Sequence, residues 1–149
     1  MKNLIDKVTF RHGATIDTRT AQSPMLTNSG LNEKVTQDTI NYYNARSQSA
    51  GMVIFEYTSV SPNGGPSRSW APDREQLAIY DDSFVPGFKK ITEKLKKDGN
   101  KAILQLVHSG REAQYRYALG GQVEVPSNID FPWISYPLHE LSEDEVWQI

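Results

Sequence analysis

The feature that most constrains the fold is an uninterrupted apolar run at residues 52–55, which lies between two segments of helical periodicity. A strand with one solvent-exposed face alternates apolar and polar residues, whereas a strand covered on both faces does not. The run therefore predicts a buried strand of a parallel sheet. The charged residue Glu56 follows the run and is predicted to end the strand.

One helix is predicted on each side of this strand. Residues 35–50 carry small or apolar side chains at spacings of three and four, at Ile40, Tyr43, Ser47 and Ala50. Thr36 is the expected N-cap of this first helix. The second helix is indicated by the spacing of Phe84, Phe88, Ile91 and Leu95, with lysines at most positions between them. Asp82 or Ser83 is expected to cap it, and Gly99 is expected to close it.

Two further strands complete an alternating order of strands and helices. Residues 102–107 predict a strand that is apolar on both faces except at Gln105, and residues 20–24 predict a short first strand. This order is typical of right-handed parallel crossovers, in either an open doubly wound sheet or a closed barrel. A long irregular stretch is expected up to residue 141. The capping-box pattern at residues 142–145 then predicts the start of another helix.

Composition argues against several functions. The chain has 16 Lys plus Arg and 18 Asp plus Glu, so its net charge is −2, and the scattered charges argue against nucleic acid as a partner. It has no cysteine, which excludes disulfides and thiol nucleophiles and fits a cytoplasmic location. We find no secretion signal and no apolar run near the roughly 20 residues that cross a bilayer, so no membrane association is predicted. The three histidines lack metal-binding spacing, and no metal site is predicted.

Candidate binding residues are sought beyond the carboxyl ends of the strands, where parallel α/β folds bind their ligands. In residues 23–28, Pro24 has no N–H and stops the strand ladder, so the following backbone amides can face a ligand or lead into an ordinary loop. Gln105 must find partners for its amide, because burial without them costs about 1–3 kcal/mol. The pyrimidine end of a flavin would supply such partners, and a loop backbone would do so equally.

The turn after the last strand contains His108 and Arg111. His108 has the chemistry to transfer a proton and Arg111 to hold an anion, although such a turn equally often serves packing and capping. No carboxylate lies at a sequence spacing that indicates a catalytic triad, so no catalytic residue is assigned. The sequence also predicts a long irregular loop at about residues 58–73. Basic and aromatic residues in or beside this loop and in the stretch after Arg111 have the chemistry to stack on a flat ligand: Arg68, Trp70, Arg74, Tyr115, Arg116 and Tyr117.

Three segments of the chain, at residues 23–25 (Ser-Pro-Met), 51–56 (Gly-Met-Val-Ile-Phe-Glu) and 104–111 (Leu-Gln-Leu-Val-His-Ser-Gly-Arg), occur in the order seen in one family. By these motifs the chain resembles the Old Yellow Enzyme family of FMN-dependent NADH or NADPH oxidoreductases. The resemblance implies an α/β fold, the (β/α)8 TIM barrel, in which FMN lies across the carboxyl ends of the strands. Residues 1–149 would be the N-terminal part of one FMN-binding domain and cover about the first three β/α units. The implied reaction passes a hydride from NADH or NADPH, through flavin N5, to an electron-poor alkene as the small-molecule substrate.

The resemblance also assigns roles by motif. Cofactor-binding roles fall on Ser23, Pro24, Met25, Leu26, Tyr57 and Gln105, and a substrate-binding role falls on Asn28. Leu26 stands where the family usually has a flavin-bonding Thr or Cys, and Tyr57 stands where it has a small residue. Asn28 replaces a Tyr of many bacterial members. The family's proton donor and substrate-holding residues come from later strands, so the isolated chain is expected to be inactive.

Two other interpretations stay open. A half barrel without catalytic activity has open sheet edges through which it would self-associate or form a homo-oligomer. Another barrel class, such as an aldolase or a lyase, would need a lysine or a carboxylate at a strand end, and Glu56 is the candidate for that position.

Overall fold

The structure is a computed structural model that describes residues 2–65 and 75–149. It begins with a short antiparallel hairpin in which strand β1 (Val8–Thr9) pairs with strand β2 (Thr15–Ile16). The periodicity of the sequence does not predict this hairpin, because strands of two residues are too short to show an alternation. Ile16 is buried, which fixes the hairpin to the rest of the fold.

The centre of the fold is a parallel sheet of three strands in the order β3–β4–β5. Strand β3 spans Ala21–Gln22, β4 spans Met52–Ser59 and β5 spans Lys101–Val107. The three predicted strands are thus confirmed, with β3 shorter than the predicted residues 20–24. The prediction that Glu56 ends β4 is wrong, since the strand continues through this residue to Ser59 and Glu56 is fully buried.

Helix α1 (Gln37–Asn44) connects β3 to β4. Thr36 caps it as predicted, because its hydroxyl accepts a hydrogen bond from the Thr39 N–H at 3.3 Å. The Thr39 hydroxyl in turn accepts from the Thr36 N–H, also at 3.3 Å, which completes a capping box. The helix ends well before the predicted residue 50, because turns replace the helix from residue 45 to residue 49.

Helix α2 (Val85–Lys97) connects β4 to β5 and follows a short 3-10 turn, Asp82–Phe84. Its buried residues Phe88, Ile91 and Leu95 are those that the spacing predicts. The predicted cap is wrong by one residue, because the 3-10 turn moves the start of the helical segment. The cap is Asp81, whose carboxylate accepts the N–H of Ser83 at 2.8 Å. Asp82 and Ser83 are the first two residues of the 3-10 turn.

Both helices pack on one face of the sheet and form the core with it. The core contains Tyr43 of α1, Val53 and Phe55 of β4, and Ile91 and Leu95 of α2. The edge strand β5 is less covered than the sequence predicts, because Ile103 is 45% exposed and Leu106 is 60% exposed. The exposed Ile103 and Gln105 alternate with the half-buried Ala102 and Leu104, so one face of β5 is left uncovered by the described residues, although the strand is apolar on both faces.

The segment after β5 is predicted to be irregular and instead contains short regular elements. A 3-10 turn at Gly110–Glu112 leads into α3 (Gln114–Ala118). Strands β6 (Glu124–Val125) and β7 (His139–Glu140) then form a parallel pair. Helix α4 (Glu143–Val146) begins with the predicted capping box, in which the Ser142 hydroxyl accepts the Glu145 N–H at 3.3 Å. In the part of the chain that the structure describes, every helix is too short or too polar to cross a bilayer.

The cap of α1 gives a first testable prediction. Thr36 accepts the Thr39 N–H, and its hydroxyl also donates to the Ser29 carbonyl at 2.6 Å. We expect Thr36→Ala to lower the free energy of unfolding by about 1 kcal/mol, because both bonds are lost. Thr36→Ser is the matched control and should stay within about 0.5 kcal/mol of the unmodified protein. Urea denaturation measures both values, and an alanine variant as stable as the serine variant would contradict the prediction.

Candidate functional site

The three segments that the sequence singles out lie at one edge of the central sheet. Residues 23–28 follow β3, Tyr57 lies in the second half of β4, and Gln105 lies in β5. Because the strands are parallel and β4 lies between the other two, their carboxyl ends form one continuous edge. Ligands bind at this edge in parallel α/β folds, and it is therefore the candidate site.

A β-bulge shapes the middle of this edge. Phe55 pairs with Leu104 and Thr58 pairs with Leu106, so two residues of β4, Glu56 and Tyr57, lie opposite the single residue Gln105 of β5. Bulges are rare in parallel pairs and are over-represented next to active sites, where they re-aim side chains. At this bulge the two adjacent residues differ in burial, because Glu56 is fully buried and Tyr57 is half-buried.

Tyr57 and Gln105 line the same cavity, which has a volume of about 450 Å³. Its other lining residues are Leu106, Val107, Ser109 and Glu112. The prediction that the Gln105 amide is buried is wrong, because Gln105 is exposed on the edge strand β5. The amide can therefore meet a ligand in the cavity without first losing a partner inside the protein.

The loop after β3 lines a second cavity at the same edge, with a volume of about 510 Å³. Met25, which is 58% exposed, and the half-buried Leu26 contribute to it together with Thr27, Ser29, Asp38 and Tyr42. Ser23 is exposed and Pro24 is half-buried. The structure thus brings Tyr57 and Gln105 together, and Met25 and Leu26 together, but it does not place the two pairs in one cavity.

Asn28, the residue predicted to contact a substrate, is only 4% exposed. Its backbone has φ of +47°, in the left-handed region that asparagine tolerates better than most residues. A substrate contact by Asn28 stays a prediction.

Glu56 receives hydrogen bonds from the loop after β3 and from α1. One carboxylate oxygen accepts the Thr27 hydroxyl at 2.7 Å and the Tyr43 hydroxyl at 3.3 Å, and the other accepts the Thr27 N–H at 3.0 Å. Burial raises the pKa of Glu56, while the bonds from Thr27, Tyr43 and the Asn28 backbone act in the opposite direction. Burial also raises the pKa of Tyr43 far above its ordinary value, and the nearby Glu56 charge adds to the rise.

Sequence reasoning missed this arrangement, because it treated Glu56 as the end of a strand. The one local signal is a carboxylate directly after four apolar residues, a position where an unpaired charge would be costly to bury.

The histidine after β5 has partners on both ring nitrogens. Its Nε2 lies 3.2 Å from a carboxylate oxygen of Glu124, and its Nδ1 accepts the Gly110 N–H at 3.2 Å. These contacts assign the proton to Nε2 of His108. The Asn63 side-chain amide donates to the other oxygen of Glu124 at 2.7 Å. Glu124 of β6 therefore joins the loop after β4, through Asn63, to the turn after β5, through His108, and it is the carboxylate partner that the sequence did not reveal.

Arg111 and Arg116 also connect loops. Arg111 donates to the Ile129 carbonyl at 3.1 Å and lies over the Phe131 ring, 4.0 Å from its centroid. Arg116 donates to the Gly65 carbonyl at 3.2 Å and forms an ion pair with Glu33 at 3.1 Å. Both guanidinium groups thus have protein partners, which supports the packing interpretation of these residues.

The aromatic and basic side chains predicted to stack on a flat ligand also include those at positions 68, 70, 74, 115 and 117. Tyr117 stacks on Tyr136 with ring centroids 5.3 Å apart. Arg68, Trp70, Arg74 and the side chain of Tyr115 lie outside the described residues. Among residues 2–65 and 75–149, no group of three or more His, Asp or Glu side chains is placed to hold a metal ion.

Comparisons with known proteins identify relatives of this chain. A family model described as the NADH:flavin oxidoreductase / NADH oxidase family matches residues 5–149. The chain is 37% identical over 123 residues to an NADH:acrylate oxidoreductase of Vibrio harveyi, a match that covers 82% of the chain and 12% of that protein. It is 33% identical over 150 residues to the probable NADH-dependent flavin oxidoreductase YqiG of Bacillus subtilis (strain 168), covering 99% of the chain and 38% of that protein. The chain thus spans less than two fifths of the length of these relatives.

Solved structures show the fold. The Old Yellow Enzyme from Pichia sp. AKU4542 superposes with a TM-score of 0.81 at 22% identity, covering 98% of the chain and 39% of that structure. The Old Yellow Enzyme homologue from Zymomonas mobilis gives a TM-score of 0.79 at 24% identity, covering 99% and 42%. The chain therefore has the α/β fold of one part of a (β/α)8 barrel.

Proposed function

Because this chain belongs to the NADH:flavin oxidoreductase / NADH oxidase family, we propose that it forms part of the flavin site of an FMN-dependent NADH or NADPH oxidoreductase. We further propose that residues 1–149 are the N-terminal part of one FMN-binding domain and supply about the first three β/α units of its barrel. FMN would supply hydride transfer from the nicotinamide to an electron-poor alkene. The relative named for acrylate supports an alkene conjugated to a carboxylate as the substrate class.

The observation that carries this proposal is that Tyr57 and Gln105 lie opposite each other at the β-bulge and line one cavity. The pyrimidine end of FMN presents alternating hydrogen-bond donors and acceptors, and the Gln105 amide offers two donors and one acceptor. The exposed amide lies in one cavity with an aromatic ring, the combination that a flat polar heterocycle needs. The residues present at this edge therefore fit one end of FMN.

The neighbouring loop would complete this wall of the site. We assign the main chain of Ser23, Pro24, Met25 and Leu26 to the face of the flavin, since β3 ends at Gln22 and Pro24 has no N–H to continue its ladder. The Leu26 side chain has no hydrogen-bonding group, so only main-chain groups of this residue would bond the flavin. We also assign a substrate contact to Asn28, whose side chain is 4% exposed next to this loop.

The test uses the purified protein in which the rest of the proposed barrel domain follows residues 1–149, called the full-length protein below. We expect it to retain FMN, visible as flavin absorbance, and to oxidise NADH or NADPH when an acrylate-type alkene is supplied. A protein that neither retains FMN nor binds it on titration would overturn the proposal. The 149-residue chain alone is expected to consume no NADH, because the family's proton donor comes from later strands.

A non-catalytic assembly module is the alternative function. The open edge of β5, with Ile103 and Leu106 exposed, favours self-association when nothing covers it. Size-exclusion chromatography separates the two functions, because an ordered oligomer without flavin would favour the module. A cytoplasmic location stays a prediction.

A further inference from the structure

Glu56 carries a fully buried carboxylate at the centre of the candidate site, and in the part of the chain that the structure describes its oxygens contact Thr27 and Tyr43. Thr27 contributes its N–H and its hydroxyl. The Tyr43 hydroxyl accepts the Glu56 N–H at 2.8 Å, which leaves its proton to point at the carboxylate. The Thr27 N–H can only donate, so the Glu56 oxygen that faces it is an acceptor. A buried polar group is costly unless it is hydrogen-bonded, so these partners are required together.

The bonds to Glu56 hold the loop after β3 in one conformation. Thr27 lies directly after the segment 23–26 that we assign to the flavin face, so the position of its backbone N–H fixes the end of that segment. The Thr27 hydroxyl oxygen also accepts the Ser29 N–H at 3.2 Å, and the Ser29 hydroxyl lies 2.7 Å from the Thr39 hydroxyl. Hydrogen bonds therefore run without interruption from Glu56 through the loop to the capping box of α1.

The same residue belongs to the β-bulge. Glu56 and Tyr57 together oppose Gln105, and Glu56 is the member that turns inward. A side chain anchored inward at the bulge requires its neighbour Tyr57 to lie on the cavity side. Glu56 therefore controls both halves of the proposed site: the main chain of residues 23–26 and the pair formed by Tyr57 and Gln105.

We propose that Glu56 is a positioning residue, which sets the geometry of the flavin-contacting loop by holding the Thr27 and Asn28 backbone amides and which fixes Tyr57 at the bulge. This inference rests on the proposed function. It assigns Glu56 no contact with FMN, because the side chain is inside the protein. Its role is to keep the loop amides preorganised, so that binding does not have to order them.

The test compares Glu56→Gln with the unmodified full-length protein. The new NH2 group is a donor, so it cannot accept from the Thr27 N–H or from the hydroxyls that face the carboxylate. We expect FMN to bind about tenfold more weakly or worse to the apoprotein, and the midpoint potential of the bound flavin to shift. We also expect the Thr27 and Asn28 amides to exchange about tenfold faster with solvent in the absence of FMN, as lost protection predicts.

Val53→Ala is the matched control, because Val53 lies in the same strand and is fully buried but faces the apolar core. It should destabilise the protein without changing the flavin potential or the exchange of the two loop amides. If Glu56→Gln does not fold, Thr27→Val removes the hydroxyl bond while preserving the side-chain shape, and the same changes are expected at smaller size.

The outcomes separate this inference from the proposed function. An unmodified protein that binds no FMN overturns both. An unmodified protein that binds FMN, with folded variants of Glu56 or Thr27 whose FMN affinity, potential and amide exchange are unchanged, overturns the positioning role alone. Equal effects of Val53→Ala and Glu56→Gln on these readouts would also overturn it, because they would reduce the role of Glu56 to general stability.

Discussion

Replacing Phe55 by alanine is expected to lower the free energy of unfolding by about 3–5 kcal/mol. Phe55 is 1% exposed and joins the two helices to the sheet. Its ring makes edge-on contacts with Tyr43 of α1, at 4.5 Å between centroids, and with Phe88 of α2, at 6.3 Å. The variant loses the burial of the ring and both aromatic contacts, and it leaves a cavity that the sheet and helices cannot easily close.

Phe10→Ala is the matched control for this core substitution. It makes the same chemical change at a residue that is 45% exposed beside the β1–β2 hairpin. We expect a loss of at most about 1 kcal/mol, as is usual away from the core. Urea denaturation of both variants provides the comparison. Equal losses would show that Phe55 does not lie at the junction of the three elements.

Gln105→Leu is expected to weaken FMN binding by about 10- to 100-fold, under the proposed function. The leucine side chain fills a similar volume but provides no partner for the pyrimidine edge, and an unpaired polar group in a binding site costs about 1–3 kcal/mol. Because Gln105 is exposed on β5, the stability of the apoprotein should change by less than about 0.5 kcal/mol. The measurement is titration of the apoprotein with FMN, followed by flavin fluorescence.

The control for Gln105 is Gln48→Leu. Gln48 is also exposed, but it lines a cavity with Gly51 and Asn100 near the amino ends of β4 and β5. It should leave FMN affinity unchanged. If Gln105→Leu binds FMN as tightly as the unmodified protein, then the amide does not hold the flavin edge, and the observation that carries the proposed function is lost.

The two proposals differ in what a substitution changes. Gln105 would act by direct contact, so its loss should weaken the cofactor without changing the backbone. Glu56 would act on the loop, so its loss should change the exchange of the Thr27 and Asn28 amides even when no cofactor is present. We expect both Gln105→Leu and Glu56→Gln to bind FMN more weakly, but only Glu56→Gln to change the exchange of the loop amides. This result would distinguish a direct contact from a positioning role.

The sequence by itself determined the elements whose signal is local. The spacing of Phe88, Ile91 and Leu95 predicts the buried face of α2, because a helix repeats every 3.6 residues whatever surrounds it. The sequence also predicts Thr36 as the cap of α1, because its partner Thr39 is only three residues away. The apolar run at 52–55 likewise shows where the covered strand lies, and the three motifs together indicate the family that the comparisons confirm.

Only the tertiary structure decided how these elements form a site. The bulge that opposes Glu56 and Tyr57 to Gln105 depends on the register between two strands, which no single strand encodes. The Thr27 partner of Glu56 is 29 residues away, and the Glu124 partner of His108 is 16 residues away, across loops of irregular length. The exposure of Gln105 depends on whether another element covers its face of β5. Periodicity reports the environment of a residue within its own element, whereas burial and pairing are set by whichever element folds against it.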